Sequence, residues 1–139
     1  WYRDRLWLLN SGTGELGVVD LATGTVEPVA FCPGFLRGLA FWEDFAIVGL
    51  SKPRRNRTFA GLALDERLAE KDASAWCGVM FVDLNTGNIA HWIKVEGTIT
   101  EFYDVQILPG VKYPMALGFR TDEICHFITP APVLPAPTD

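Results

Sequence analysis

The sequence is poor in the residues that carry most metal and redox chemistry. Its 139 residues include two histidines, His91 and His126, and three cysteines, Cys32, Cys77 and Cys125. The cysteines are far apart and form no C-x-x-C pair, so neither a disulfide framework nor a zinc cluster is indicated, and we expect buried thiols. Neither histidine has a Cys, Asp or Glu at ligand spacing. We therefore expect no metal and no cofactor, and two histidines that are structural or exposed.

Basic charge and long hydrophobic runs are also lacking. The net charge of −5 gives no general attraction to nucleic acid or anionic membranes, so neither is an expected partner. No stretch approaches the roughly 18 consecutive apolar residues of a membrane helix, and no signal peptide is visible. These features favour a cytoplasmic location. The apolar, aromatic start at Trp1, without an initiator methionine, predicts a piece of a longer protein.

Material for a hydrophobic core is plentiful, because 49% of the residues are hydrophobic and 12% are aromatic. A chain of this length predicts one domain, which we place at residues 1–129. The last ten residues, 130–139, are rich in proline and are predicted to be a disordered tail.

A short hairpin pattern occurs twice along the chain. The stretch "VVDLATGTV", Val18–Val26, aligns without gaps on "FVDLNTGNI", Phe81–Ile89. The shared Asp-Leu-x-Thr-Gly turn predicts two equivalent hairpins, in which Asp20 and Asp83 accept backbone N–H bonds rather than hold a metal. The same pattern weakens a dinucleotide-binding interpretation of the preceding G-x-G-x-x-G, since that motif needs a helix after its last glycine.

Repeated strand patterns predict an all-β chain of antiparallel, four-stranded, β-propeller-like blades. About ten strands amount to a partial propeller of about two and a half blades. The predicted strands are Leu6–Leu9, Leu16–Asp20, Thr25–Phe31, Leu36–Phe41, Phe45–Leu50, Gly78–Asp83, Ile89–Val95, Glu101–Leu108, Met115–Phe119 and Glu123–Ile128. The stretch 51–76 interrupts this rhythm and is predicted to be an insertion, a basic loop followed by a short helix.

Four signatures, "GLAF", "VGLSK-R", "FVDLNTG" and "DVQILPG", lie between Gly34 and Pro114. This stretch resembles an uncharacterised bacterial family of unknown function that also occurs in proteins associated with tetratricopeptide repeats. The resemblance implies β-propellers longer than this chain, of which this chain is similar to the C-terminal part. It supplies no functional residues.

Candidate binding residues follow from the propeller prediction. Ligands of propellers meet the mouth of the central channel, where the innermost strands end. "LRGLAF" and "EFYDVQIL" are the predicted innermost strands, which places Arg37, Glu101, Tyr103 and Asp104 there. These groups could bind a small polar ligand or a divalent cation, since hard cations prefer oxygen donors. The alternative is a structural ion pair between Arg37 and one of the acids.

A second candidate is the basic cluster Arg54, Arg55 and Arg57 in the insertion. Guanidinium groups pair bidentately with phosphate and carboxylate, so the cluster could grip an anion. The alternative is a solvated loop that balances an acidic protein.

Two functions remain open. The first is a non-enzymatic binding or scaffolding module, favoured because the chain shows repeats and no catalytic constellation, so no catalytic residue is assigned. The second is a propeller-type hydrolase or lactonase-like enzyme that uses a cation at the channel. A partial blade at each end predicts a homo-oligomer, such as a dimer, formed through blade faces or open edges, and a protein or small polar molecule as ligand.

Overall fold

The computed structural model describes residues 1–53, 62–116, 118, 120 and 122–126. The chain divides into two compact units, Trp1–Ile107 and Leu108–Asp139. The predicted domain end at residue 129 lies outside the described residues.

The first unit contains two antiparallel sheets. The first sheet has the strand order β1-β2-β3, and the second sheet has the order β4-β5-β6-β7. Each strand follows its predecessor in sequence, which is the meander expected of blades. The strands are β1 (Leu6–Asn10), β2 (Glu15–Val19), β3 (Val26–Phe31), β4 (Phe35–Trp42), β5 (Phe45–Ser51), β6 (Cys77–Asp83) and β7 (Ile89–Val95). The prediction of a mostly antiparallel β chain is confirmed, whereas the two described sheets do not form a closed propeller.

Three predicted strands are wrong in the described part of the chain. Residues 101–108 carry no strand assignment, and neither do the described residues of Met115–Phe119. Residues Asp122–His126 form a 3-10 helix in place of the strand predicted at Glu123–Ile128. A strand needs a hydrogen-bonded neighbour, and residues 101–108 have no such ladder within the described chain. Their sequence pattern alone could not reveal this.

The two hairpins have the same turn structure. The Oδ1 atom of Asp20 accepts the backbone N–H of Ala22 at 2.8 Å, and the Oδ1 atom of Asp83 accepts that of Asn85 at the same distance. The Ala22 bond, followed by bonds from Thr23, lowers the pKa of Asp20 below its usual value. Both carboxylates therefore fix turns, as predicted from the shared motif.

Strand registers extend the repeat beyond the hairpins. Trp7 pairs with Val18 in the first sheet, and at the equivalent place in the second sheet Ile47 pairs with Phe81. The β1–β2–β3 sheet is therefore equivalent to β5–β6–β7. The strand β4 has no counterpart in the first sheet.

The hydrophobic core lies between the two sheets. One face of each sheet is buried against the other, and we call these the inner face of the first sheet and the near face of the second. The largest contributors from the first sheet are Trp7 and Leu16, and from the second Leu36, Leu50 and Val82. The two sheets thus share one core and are expected to unfold together.

The predicted short helix is present as α1, Ala63–Glu70, between β5 and β6. Leu64 and Leu68, one helical turn apart, are its buried residues. Arg67, next to Leu68 in the chain, forms an ion pair of 2.6 Å with Glu15 and lies over the ring of Phe31. The helix therefore covers one end of the first sheet. No helix in the described part of the chain has both the length and the apolar character to cross a membrane.

The expectation of three buried thiols is correct for two of them. Cys32 and Cys77 are buried, whereas Cys125 is exposed. The exposure follows from the local structure, because Cys125 lies in the 3-10 helix instead of a packed strand. Burial raises the pKa of Cys32 to about 12.

Thiol labelling of the folded protein should therefore be selective. We expect a thiol-specific reagent at pH 8 to modify Cys125 rapidly and Cys32 only after unfolding, because the thiolate is the reactive form and Cys32 stays protonated. Mass spectrometry of peptides from the native and the urea-unfolded protein measures this. Labelling of Cys32 at the rate of Cys125 in the native state would contradict the buried position.

Candidate ligand-binding site

A β-bulge in β4 places the first of the predicted site residues. The register between β4 and β5 shifts between Leu36 and Leu39, and Gly38 within the bulge has a φ of 76°. Bulges redirect the side chains beside them and often occur next to binding sites. Here the bulge starts at Arg37.

The guanidinium of Arg37 contacts two aromatic rings. Its Cζ atom is 5.3 Å from the ring centroid of Phe35 and also 5.3 Å from that of Tyr103. Cation–π contacts of this length contribute about 0.5–1 kcal/mol each at exposed sites. The sequence-predicted pair of Arg37 and Tyr103 is thus brought together, by stacking rather than by a hydrogen bond.

Arg37 forms no ion pair with an acid that the structure describes, so the alternative of a structural ion pair is not seen within this part of the chain. Other arginines do pair with carboxylates: Arg3 with Asp44 at 2.6 Å and Arg67 with Glu15. A guanidinium that is paired with no described acid can bind a carboxylate or phosphate bidentately.

The segment that carries Tyr103 is held against β5 by a buried serine. Ser51, which is 1% exposed, donates from Oγ to the carbonyl of Phe102 at 3.1 Å and accepts the N–H of Phe102 at 2.8 Å. The N–H of Lys52 also donates to the carbonyl of Thr100 at 2.9 Å. The backbone that leads to Tyr103 is therefore fixed although it is not part of a sheet.

The predicted carboxylate of Asp104 has other partners. Its Oδ2 accepts from the Gln106 side chain at 2.9 Å and its Oδ1 from the backbone N–H of Val105 at 2.8 Å. The Gln106 bond and then the Val105 bond lower the pKa of Asp104 below its usual value. Asp104 is therefore ionised at neutral pH and fixes its own loop.

Glu101 lies near the buried thiol of Cys77. Burial raises the pKa of Cys77 above its usual value. The positive charge of Lys52 lowers this pKa, and the negative charge of Glu101 raises it. Within the described residues, no group of three or more His, Cys, Asp or Glu side chains could hold a metal ion. Glu101 and Asp104 thus belong to no such cluster there.

The second predicted cluster, Arg54, Arg55 and Arg57, lies outside the described residues. Sequence reasoning also missed two participants in the site, Phe35 and Ser51. The internal repeat could have indicated Ser51. Ser51 is equivalent to Ser11, whose Oγ donates to the carbonyl of Leu36 at 2.7 Å. A serine that ends the strand and binds the next segment is thus a repeated feature.

The comparison with known families covers this whole arrangement. A family model described as Domain of unknown function (DUF4915) matches residues 1–117. The chain belongs to the DUF4915 family. No curated protein and no solved structure matches it.

The match places both sheets and the Arg37–Tyr103 stack within the DUF4915 domain. The description of the family attributes no activity to it, so the role of the stack has to be argued from its geometry. That geometry is a half-buried cation in contact with two aromatic rings, at the point where one sheet receives the segment that follows it.

Proposed function

We propose that this DUF4915 domain is a non-enzymatic binding module of β-propeller type. Its site is the guanidinium of Arg37 beside Phe35 and Tyr103, and its ligand carries a carboxylate or phosphate, either on a small molecule or on a protein. The supporting observation is that Arg37 contacts two aromatic rings but forms no ion pair with a described acid. A cytoplasmic location fits this role and stays a prediction.

Charge and rigidity support an anion as the ligand. Contact with the two rings restricts the guanidinium before the ligand arrives, so less side-chain entropy is lost on binding. A hydrogen bond to a charged group contributes about 1.5–3 kcal/mol. The Asp104 carboxylate is already occupied by Gln106 and Val105, so it does not compete for Arg37.

The hydrolase alternative has less support. A cation at the channel mouth needs several oxygen donors around one point, and Glu101 and Asp104 do not provide such a group among the described residues. The binding proposal needs only the stacked guanidinium.

Titration with inorganic phosphate and with succinate tests the binding proposal. We expect saturable NMR shifts of the Arg37 Nε–Hε group and of the Tyr103 ring. Arg37→Gln should abolish these shifts, and Arg37→Lys should weaken binding about tenfold or more, because the ammonium lacks the planar fork.

Arg5→Gln is the matched control, since Arg5 is an exposed arginine of the same unit. It should bind as the wild type does. Equal, non-saturating shifts at Arg37 and Arg5 would contradict the proposal. A stoichiometric metal that is lost in Glu101→Gln would instead favour the hydrolase.

A further inference from the structure

The hydroxyl of Ser51 holds the backbone immediately before Tyr103. Its Oγ atom donates to the carbonyl of Phe102 at 3.1 Å and accepts the N–H of the same residue at 2.8 Å. Phe102 carries no strand assignment, so these two bonds take the place of ladder hydrogen bonds at this residue. Because Ser51 is 1% exposed, water does not compete for them. The Ser51 hydroxyl therefore fixes the direction in which the chain reaches Tyr103.

Ser11 makes the corresponding contact immediately before Arg37. Its Oγ atom donates to the carbonyl of Leu36 at 2.7 Å. Leu36 is 2% exposed and pairs with Leu50 in the second sheet. A bond from the end of β1 thus holds the backbone that leads into the bulge at Arg37.

The internal repeat makes Arg37 and Tyr103 equivalent positions. Ser11 and Ser51 lie at the ends of the equivalent strands β1 and β5. The residues that follow each serine contact are equivalent as well, and "RGLAF" at 37–41 aligns on "YDVQI" at 103–107. The cation and one ring of the proposed site therefore come from the same position in consecutive repeats, and each is preceded by a serine contact.

A glycine in β5 lets the two halves of the site approach each other. A Cβ at Gly49 would overlap the carbonyl oxygen of Arg37 and the side chain of Val105. The backbone of Val105 also lies directly against Gly38 in the bulge. Close approach at these two glycines accompanies the distance of 5.3 Å between the Arg37 Cζ atom and the ring centroid of Tyr103. Small errors in either backbone would change that distance.

We propose that Ser11 and Ser51 are positioning residues, which hold Arg37 and Tyr103 against each other and so set the affinity of the site for an anion. The affinity part of this proposal rests on the proposed function, whereas the positioning part does not. Ser11 acts through Arg37 itself, and Ser51 acts through Tyr103. Without either hydroxyl the guanidinium is less restricted, and ordering it on binding lowers the affinity.

Ring-current shifts measure the positioning without any ligand. In the wild type, the ring of Tyr103 should displace the NMR resonances of the Arg37 Hδ and Hε protons from their values in a Tyr103→Leu chain. Ser51→Ala and Ser11→Ala should each move these resonances toward the Tyr103→Leu values. If Ser51→Ala does not fold, Ser51→Cys replaces it, because a thiol is similar in size and only a weak hydrogen-bond donor.

Val82→Ala is the matched control for a loss of stability. Val82 is 0% exposed and pairs with Ala46, which precedes Ser51 by about 17 Å along β5. Its truncation leaves a cavity in the shared core and destabilises the fold. The Arg37 resonances and the anion affinity should nevertheless stay at their wild-type values, because both serine contacts remain.

Titration with inorganic phosphate tests the effect on affinity. We expect each serine-to-alanine variant to raise the Kd about two- to tenfold, as expected for one side chain that must be ordered on binding. In a Tyr103→Leu background, Ser51→Ala should have no further effect, because Ser51 acts through that ring. Ser11→Ala should still raise the Kd in this background.

The two measurements separate this proposal from the proposed function. Arg37 resonances that stay unchanged in both serine variants, or that change equally in Val82→Ala, would overturn the positioning role. Changed resonances with a wild-type Kd would overturn the link to affinity. A wild type that binds no phosphate would refute the anion site and the affinity part with it, while changed resonances in the serine variants would still support the positioning of Arg37 against Tyr103.

Discussion

Gly38→Ala is expected to destabilise the protein by about 3 kcal/mol and to release the segment that carries Tyr103. Two effects add. Gly38 has a φ of 76°, and alanine in that conformation costs about 1–2 kcal/mol. A Cβ at Gly38 would also overlap the backbone of Asp104 and Val105, and relieving an overlap of this kind costs about 1–3 kcal/mol. Because the neighbouring atoms are backbone, no side chain can simply turn away.

Gly24→Ala separates the two effects. Gly24 has nearly the same φ, 72°, but no atom lies within 4 Å of a Cβ built there. Its substitution should cost about 1–2 kcal/mol, for the conformation alone. Urea unfolding followed by circular dichroism measures both variants, and NMR of the Tyr103 ring reports on the segment. Equal losses in the two variants would show that residues 104–105 do not pack on β4.

Leu50→Ala should produce an equally large loss, about 2–5 kcal/mol, because a fully buried leucine is replaced and a cavity remains. Leu50 is 0% exposed and lies in the core shared by the two sheets. Leu16, also 0% exposed, contributes to the same core from the first sheet. Leu16→Ala is therefore expected to lower the same single unfolding transition by a similar amount.

Leu21→Ala is the surface control, since Leu21 is 66% exposed, and it should change the free energy of unfolding by less than about 0.5 kcal/mol. Thermal unfolding by calorimetry and by circular dichroism should coincide in every variant if the core is cooperative. Two separate transitions, with Leu16→Ala moving only one of them, would mean that the sheets unfold independently.

Local patterns in the sequence were sufficient for the strands β1 to β7 and the two hairpins. The alternation of apolar residues and the repeated Asp-Leu-x-Thr-Gly turn are short-range features, and the structure has the hairpins where they were predicted. Helix α1 was equally readable from Leu64 and Leu68 one turn apart, with acidic residues in its first turn.

Tertiary structure alone decided which segments found partners. Residues 101–108 have a strand-like sequence but no ladder, because strand formation depends on hydrogen bonds to a neighbour that the sequence does not specify. The same dependence explains Arg37: its residue type predicted a site, but only the bulge at Gly38 and the Ser51 contact placed it beside Phe35 and Tyr103. The sequence by itself thus determined the strands β1 to β7 and their repeat, and packing between distant segments determined the site.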